Sequence, residues 1–272
     1  MRADFYLTPD WPAPAGVRAA FTLRTGGVSL PPFDSLNIAA HVGDVAEAVA
    51  QNRRRMGRAL GLAAEPLWLE QVHGAEVADL DAASPVTRAD AALTRVPGRV
   101  CVAQVADCLP VLLAAHTGSA VAAAHCGWRG LCGGVLEATV RALKVPASEL
   151  YAWLGPAIGP AAFEVGEEVR AAFLAQDALA AAAFAANPRG RWQCDLFALA
   201  RLRLSALGVS RVYGGGVCTH ADPQRFFSYR RDGRCGRMAA LIWISEQPRG
   251  RPERFSHLPA GSTRQSVSPQ SV

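Results

Sequence analysis

Three side chains of this sequence have the types and settings that bind a soft or borderline metal ion. They are His73 in Gln71-Val72-His73-Gly74, Cys108 in Ala106-Asp107-Cys108-Leu109-Pro110, and His125 in His125-Cys126-Gly127-Trp128-Arg129-Gly130. Two imidazoles and a thiolate suit zinc, and three protein ligands leave a fourth position open for water or substrate. An ion so held can activate water or polarise an oxygen. A type 1 copper centre uses the same donors but usually adds an axial methionine. Met1, Met56 and Met238 are the only methionines and none lies near these segments, which favours zinc. The same residues admit other readings. Cys108 with His73 or His125 makes a nucleophile and its base, and a lone histidine at a strand end is often a hydrogen-bonded structural residue. Nothing in the local spacing forces the three together.

Anion binding is the second chemistry in view. The segment after His125 carries Gly127, Gly130, Gly133 and Gly134 and then turns helical, so free backbone N–H groups beside Arg129 form a candidate anion site. Arg230 and Arg231, beside Phe227 and Tyr229, have the groups to hold an anion and stack a base. The same run also describes a strand with an arginine-rich exposed face.

The elements that must position these groups follow from periodicity. Residues 111–115 and 120–124 are short apolar runs around the turn residues His116-Thr117-Gly118-Ser119. That hairpin puts Cys108 at the entry of one strand and His125 at the exit of the next, so both reach one rim of a sheet. One mostly buried helix should follow over 131–144, with Glu137, Arg141 and Lys144 as its only polar stripe. Further strands are expected at 17–23, 67–72 (ending at His73), 77–80, 89–94, 99–105, 151–154, 209–217 and 238–244. Asp44-Val45-Ala46-Glu47 has the form of a capping box opening a helix to Leu60, with Gly61 as its stop. Asn52 falls on the buried face of that helix, where its amide needs partners, so it should tie down a loop. Residues 165–184 should be helical, and Asp195 should cap a helix that stops at Gly208. Strand density is high from 67 to 125, with no helix long enough for repeated crossovers. The expected fold is therefore α/β (α+β): one domain, a mixed β-sheet sandwich with flanking helices.

Composition excludes several classes. The chain has 272 residues, half of them hydrophobic, which is an ordinary globular balance. No run of about 18 apolar residues exists, so no membrane span is expected, and the first residues lack a signal peptide's apolar core. Of the net charge of +5, the last residues (Arg249, Arg251, Arg254 and Arg264 against Glu246 and Glu253) supply +2, leaving +3 for the rest, too little to argue for nucleic acid. Seven cysteines without framework spacing read as reduced thiols in the cytoplasm. The domain is expected over 1–245, and 246–272, rich in Pro, Arg, Ser, Gln and Gly, as a disordered tail. Oligomeric state is not legible.

Taken in order, these blocks and others resemble one family. Arg24-Thr25-Gly26-Gly27-Val28-Ser29, Ser35-Leu36-Asn37, His41-Val42-Gly43-Asp44, Gln71-Val72-His73-Gly74, Ala106-Asp107-Cys108-Leu109-Pro110, His125-Cys126-Gly127-Trp128-Arg129-Gly130, Gly155-Pro156-Ala157-Ile158-Gly159, Cys218-Thr219 and Phe226-Phe227-Ser228-Tyr229-Arg230-Arg231-Asp232 together resemble the laccase-domain family. That family is also called polyphenol oxidase-like, peptidoglycan editing factor, or the zinc purine nucleoside phosphorylases. The resemblance implies a fold like the catalytic domain of cytotoxic necrotizing factor deamidases, with zinc (copper in older descriptions) at His73, Cys108 and His125. It implies phosphorolysis of adenosine, inosine, guanosine or methylthioadenosine, with purine nucleoside and inorganic phosphate as ligands, and deamination of adenosine. Copper-dependent phenol oxidation and a Cys–His amidase or cell-wall editing activity are the alternatives. Asp107, Cys108 and Arg129 are the expected catalytic residues, with Asp107 the candidate proton shuttle for deamination. Ser29, Asn37, Arg129, Phe227 and Arg230 are the expected substrate contacts. Two departures from the family pattern are Cys126 beside a ligand histidine and Cys235 before Gly236-Arg237.

Overall fold

Alternation along two strands sets the layering. In β5 (Val100–Val105), Cys101, Ala103 and Val105 enter one apolar cluster while Val100 and Val102 enter another. In β6 (Leu109–Ala115), Leu112 and Ala114 share the first of those clusters, and Val111, Leu113 and Ala115 enter a third. Successive side chains of a strand point to opposite faces, so β5 and β6 belong to two sheets stacked over a shared core. The computed structural model describes residues 5–246. The tail expected beyond residue 246 lies outside the described residues.

The first sheet runs β1 (Tyr6–Leu7), β2 (Val17–Thr22), β13 (Met238–Ile244), β5, all antiparallel. The second runs β12 (Arg211–Gly214), β8 (Leu150–Leu154), β6, β7 (Val121–Cys126), β4 (Ala91–Thr94), β3 (Val77–Asp79). Its outer pairs, β12 with β8 and β3 with β4, are parallel and the inner ones antiparallel. A small antiparallel sheet joins β10 (Phe184–Ala186), β11 (Trp192–Cys194) and β9 (Glu164–Val165). Helix α1 (Ala46–Leu60) covers the outer face of the first sheet, with Met56 against Val100, Val102, Ala239 and Leu241. Helices α2 (Trp128–Cys132), α3 (Val135–Leu143), α4 (Glu167–Leu174) and α5 (Leu196–Ala206) cover the second. The fold is thus the expected mixed α/β sandwich with helices on both outer faces. Among the described residues no helix is long and apolar enough to cross a membrane.

Five local expectations fail, each for a visible reason. Residues 67–72 form no strand beyond a bridge from Glu70 to Arg88, and the chain turns at their end, where the N–H groups of Val72, His73 and Gly74 all go to the Asp90 carboxylate. The helix over 131–144 is two helices, broken where Gly134 takes φ +91°, a conformation that glycine adopts freely. The stretch 165–184 is a strand end, α4, a 3-10 segment (Ala178–Ala183) and β10, with Asp177 accepting from Leu179 N–H where the helix stops. Residues 229–232 form a short helix, α6 (Tyr229–Asp232), N-capped by Ser228, and not a strand. Asp44 does not cap α1, whose N-cap is Val45. Its Oδ2 instead accepts from Ser29 Oγ at 2.6 Å and from Asn37 Nδ2 at 2.9 Å. Asp195 caps α5 as expected, accepting from Ala198 N–H.

Asn52, fully buried on α1, ties down the 28–37 loop as its position implies. Its Oδ1 accepts from Val28 N–H at 2.8 Å, and its Nδ2 donates to Ser29 Oγ, Ser35 O and Asn37 O. Leucine at this site would strand a buried N–H and two carbonyls. Asn52→Leu should therefore lower unfolding free energy by about 2–4 kcal/mol in urea denaturation.

Candidate metal centre

The hairpin of β6 and β7 pairs Leu109 with Cys126 and Pro110 with His125, so Cys108 enters β6 beside the end of β7. Asp107, the residue before it, has φ +86°, an uncommon conformation for a residue with a side chain. Its carboxylate accepts from Thr219 Oγ1 (2.6 Å), Ser228 Oγ (2.9 Å) and Arg230 N–H (2.7 Å), and its carbonyl from Ile158 N–H (2.9 Å). Those four bonds hold the Cys108 turn in place.

Asp90 does the same for both histidines. It lies just before β4, 1 % exposed. Oδ1 accepts from His73 N–H at 2.9 Å and His125 Nδ1 at 2.8 Å, and Oδ2 from Val72 N–H at 3.1 Å and Gly74 N–H at 2.7 Å. His73 is thereby fixed with φ +62°. A carboxylate accepting at Nδ1 puts the proton of His125 there and leaves Nε2 as the ligand atom. One ligand atom each from His73, Cys108 and His125 lies within 4.8 Å of the others, and Cys108 Sγ is 3.9 Å from His73 Nε2. Gly127 allows this closeness, since a Cβ there would sit 2.8 Å from His73 Cδ2 and 3.0 Å from Cys108 Sγ. His125 is buried, Cys108 half-buried and His73 exposed, so the group opens to solvent on the His73 side.

The charges are coupled. Burial alone would push the Cys108 thiol up, but His125 and His73 outweigh it and bring it to about 6. Burial would push His125 down, yet the Cys108 thiolate and Asp90 raise it to about 9. Asp90 is opposed by burial too, and the bonds from His125, Gly74 and Val72 still hold it below the ordinary carboxylate range. The donor set therefore fits a divalent or monovalent soft-to-borderline ion: the thiolate is ready and one imidazolium proton has to leave.

His73, Cys108 and His125 line a cavity of about 380 Å³, a volume usual for small-molecule sites. His41, Gln71, Gln104, Val105, Ala106, Tyr229 and Arg237 form the rest, with no aspartate or glutamate. Gln71 and Gln104 fix each other, Gln71 Nε2 donating to Gln104 O and Gln71 Oε1 accepting from Gln104 N–H.

The other expected site residues sit elsewhere. The Asp107 carboxylate faces its three donors. Arg129 is exposed, its guanidinium 4.4 Å over the Trp128 ring. The glycine-rich start beside it leads only into the five-residue α2, not a long helix. Phe227 is fully buried under the Arg24 guanidinium. Arg230 Nη1 donates to the carbonyls of Ala162 and Glu164. Ser29 and Asn37 are buried in the network around Asp44. Neither Arg129 nor Arg230 lines the cavity. Sequence reasoning missed Asp90, His41, Gln104 and Arg237. Asp90 carried a signal, a lone acid in the apolar run Ala89-Asp90-Ala91-Ala92-Leu93.

Residues 18–245 match the family described as multi-copper polyphenol oxidoreductase laccase. The chain belongs to that family. A member from Pseudomonas aeruginosa named purine nucleoside phosphorylase is 57 % identical over 89 % of this chain and 99 % of its own. The Escherichia coli purine nucleoside phosphorylase YfiH is 52 % identical over 88 % and 98 %. Among solved structures, a Neisseria meningitidis protein superposes with a TM-score of 0.84 at 48 % identity, covering 89 % of this chain and 99 % of that one. YlmD from Geobacillus stearothermophilus gives 0.81 at 33 %, covering 90 % and 98 %. For a laccase-family chain the ligand count is notable: among the described residues, His73, Cys108 and His125 are the single group of three or more such side chains placed to hold an ion.

Two outcomes follow. Asp90→Asn turns one oxygen into an amide nitrogen facing two donors, so zinc affinity should fall roughly 10–100-fold in competition with a chromophoric chelator. In chelator-treated protein, Cys108 should stay thiolate down to about pH 6. Its alkylation by iodoacetamide, followed by peptide mass spectrometry, should stay fast from pH 9 to about 6 and slow only below that. Slowing that begins below pH 9 would contradict the coupling to His125.

Proposed function

We propose that the chain is a zinc enzyme that cleaves purine nucleosides with inorganic phosphate, giving free base and ribose 1-phosphate. The observation that carries the reading is one cavity lined both by the Cys–His–His group and by the Arg237 cation. The names of relatives at 45–57 % identity over nearly their full lengths support it. In this reaction a phosphate oxygen bonds to C1′ of the ribose as the bond to the purine nitrogen breaks. The base leaves with that electron pair and takes up a proton. Zinc held by His73, Cys108 and His125 would supply a Lewis acid that polarises a substrate oxygen. Asp90 and Asp107 keep the three ligands in register, and Arg237 offers charge to the anionic co-substrate. The Gln71–Gln104 pair and Val105 wall the space in which the nucleoside is oriented. Seven free cysteines suit a reducing cytoplasm.

Deamination of adenosine is a second reading, favoured by one observation. His41, on the cavity wall, is kept neutral by burial and by the charges of Arg237 and Arg53, so it has a nitrogen free to carry a proton. Asp107 does not have that freedom, since three donors occupy its carboxylate. Multi-copper oxidation finds less support, because the cavity lining includes no methionine and a single ligand group is present among the described residues.

The test is turnover of adenosine and inosine by zinc-loaded protein, with and without phosphate. Phosphate-dependent release of base with stoichiometric ribose 1-phosphate is expected. Equal nucleoside loss without phosphate, and no ribose 1-phosphate, sinks the phosphorylase reading. Ammonia from adenosine would then leave deamination standing alone.

A further inference from the structure

The expected phosphate ligands, Arg129 and Arg230, do not line the cavity, whereas Arg237, which sequence reasoning does not single out, does. Arg237 Nη1 donates to Cys235 O at 2.9 Å and Gly236 O at 3.0 Å. No described residue pairs with its Nε or Nη2, the two donors on the side-on edge of a guanidinium that binds an oxyanion in bidentate fashion. Its carbon lies 5.6 Å from the centroid of the Tyr229 ring, and the Tyr229 hydroxyl and the His41 imidazole likewise have no partner among the described residues. All three line the metal-wall cavity, and no carboxylate lines it to neutralise the charge. Arg24 is paired with Asp34, and Arg231 with Asp232 and the carbonyls of Thr219, His220 and Phe226. Arg230, whose Nη1 donates to two carbonyls, does not line the cavity.

The site is also built. Arg237 N–H donates to Asn37 Oδ1 at 2.9 Å, the same oxygen that accepts from Ala39 N–H at 3.0 Å. Asn37 Nδ2 donates to Ala39 O and to Asp44 Oδ2, and Ile38 N–H donates to Arg237 O. One buried amide thus locks the loop carrying His41 to the segment carrying Arg237. The next residue, Met238, pairs with Val105 of the cavity wall, which fixes Arg237 relative to the metal ligands. The lowered pKa of His41, set by burial and then by Arg237 and Arg53, fits a positive local potential.

We propose that Arg237, the Tyr229 hydroxyl and the His41 imidazole form an oxyanion subsite in the cavity that His73, Cys108 and His125 also line, and that it takes inorganic phosphate. The choice of phosphate rests on the phosphorolytic reading, while the subsite itself rests on geometry.

The experiment uses zinc-loaded full-length protein and inorganic phosphate as the probe. Phosphate binding is measured by calorimetry without nucleoside, and steady-state kinetics separate the Michaelis constants for phosphate and nucleoside. Arg237→Gln should weaken phosphate roughly ten- to a hundredfold, with a smaller change for nucleoside and zinc content intact. Arg237→Lys should recover part of the loss, as a point charge does not replace the bidentate edge. Unchanged phosphate affinity in folded, zinc-replete Arg237→Gln overturns the subsite, as does a loss confined to Arg129→Ala. Should Arg237→Gln fail to fold, Tyr229→Phe decides: Tyr229 is 60 % exposed, so its hydroxyl can go without harm to the core. A phosphate affinity unchanged in that variant overturns the proposal, and a severalfold loss supports it. Phosphate binding that needs Arg237 in an enzyme whose turnover ignores phosphate would keep the subsite and reject phosphorolysis. Wild-type protein that binds no phosphate rejects the subsite.

Discussion

The centre depends on one buried carboxylate. Asp90 is placed where an ionised group is costly to bury, and it persists because four donors converge on its two oxygens. Three of those donors are consecutive backbone N–H groups, so the carboxylate folds the chain around itself and makes the turn that presents His73. The fourth is the ring of His125. A single residue therefore decides the conformation of His73 and the tautomer of His125, and it does so from behind, away from the cavity.

The same division of labour recurs twice. Asp107 takes Thr219, Ser228 and the Arg230 backbone, and so sets Cys108 against segments more than a hundred positions away. Asp44 takes Ser29 and Asn37, and through Asn37 it steadies the loops of His41 and Arg237. Each acid is spent on positioning, which leaves a cavity whose lining holds no carboxylate. Such a lining attracts anions and leaves the thiolate as the one negative ligand that a metal would meet.

The hairpin was legible because it is local: short apolar runs around a turn, which set Cys108 and His125 at matching ends. Asn52 was legible as a buried amide on a helix face, and so was the sandwich, from strand density. What escaped was whatever depends on long-range hydrogen bonding. Residues 67–72 look like a strand, but at its end the N–H groups of Val72, His73 and Gly74 go to an aspartate 16 to 18 positions later. Asp44 looks like a cap until Ser29 and Asn37 take it. Phe227 and Arg230 look like a recognition motif until the core covers the ring and the carbonyls of Ala162 and Glu164 take the guanidinium. Arg237 escaped because an arginine before a buried strand has no local mark of its neighbours.

The clamps on His73, Cys108 and His125 are made of protein groups alone, so holding the three side chains together needs no ion. Binding energy then goes into occupancy and little into folding, unlike in small domains that a metal assembles. A rigid pocket of two imidazoles and one thiolate also has few means of refusing an ion by shape. By the order of intrinsic affinities, copper outcompetes zinc at such a site when both are free. What the pocket carries in a cell is then set by which ion the compartment leaves available. One set of ligands can in this way lie behind both an oxidase name and a phosphorylase name within a single family.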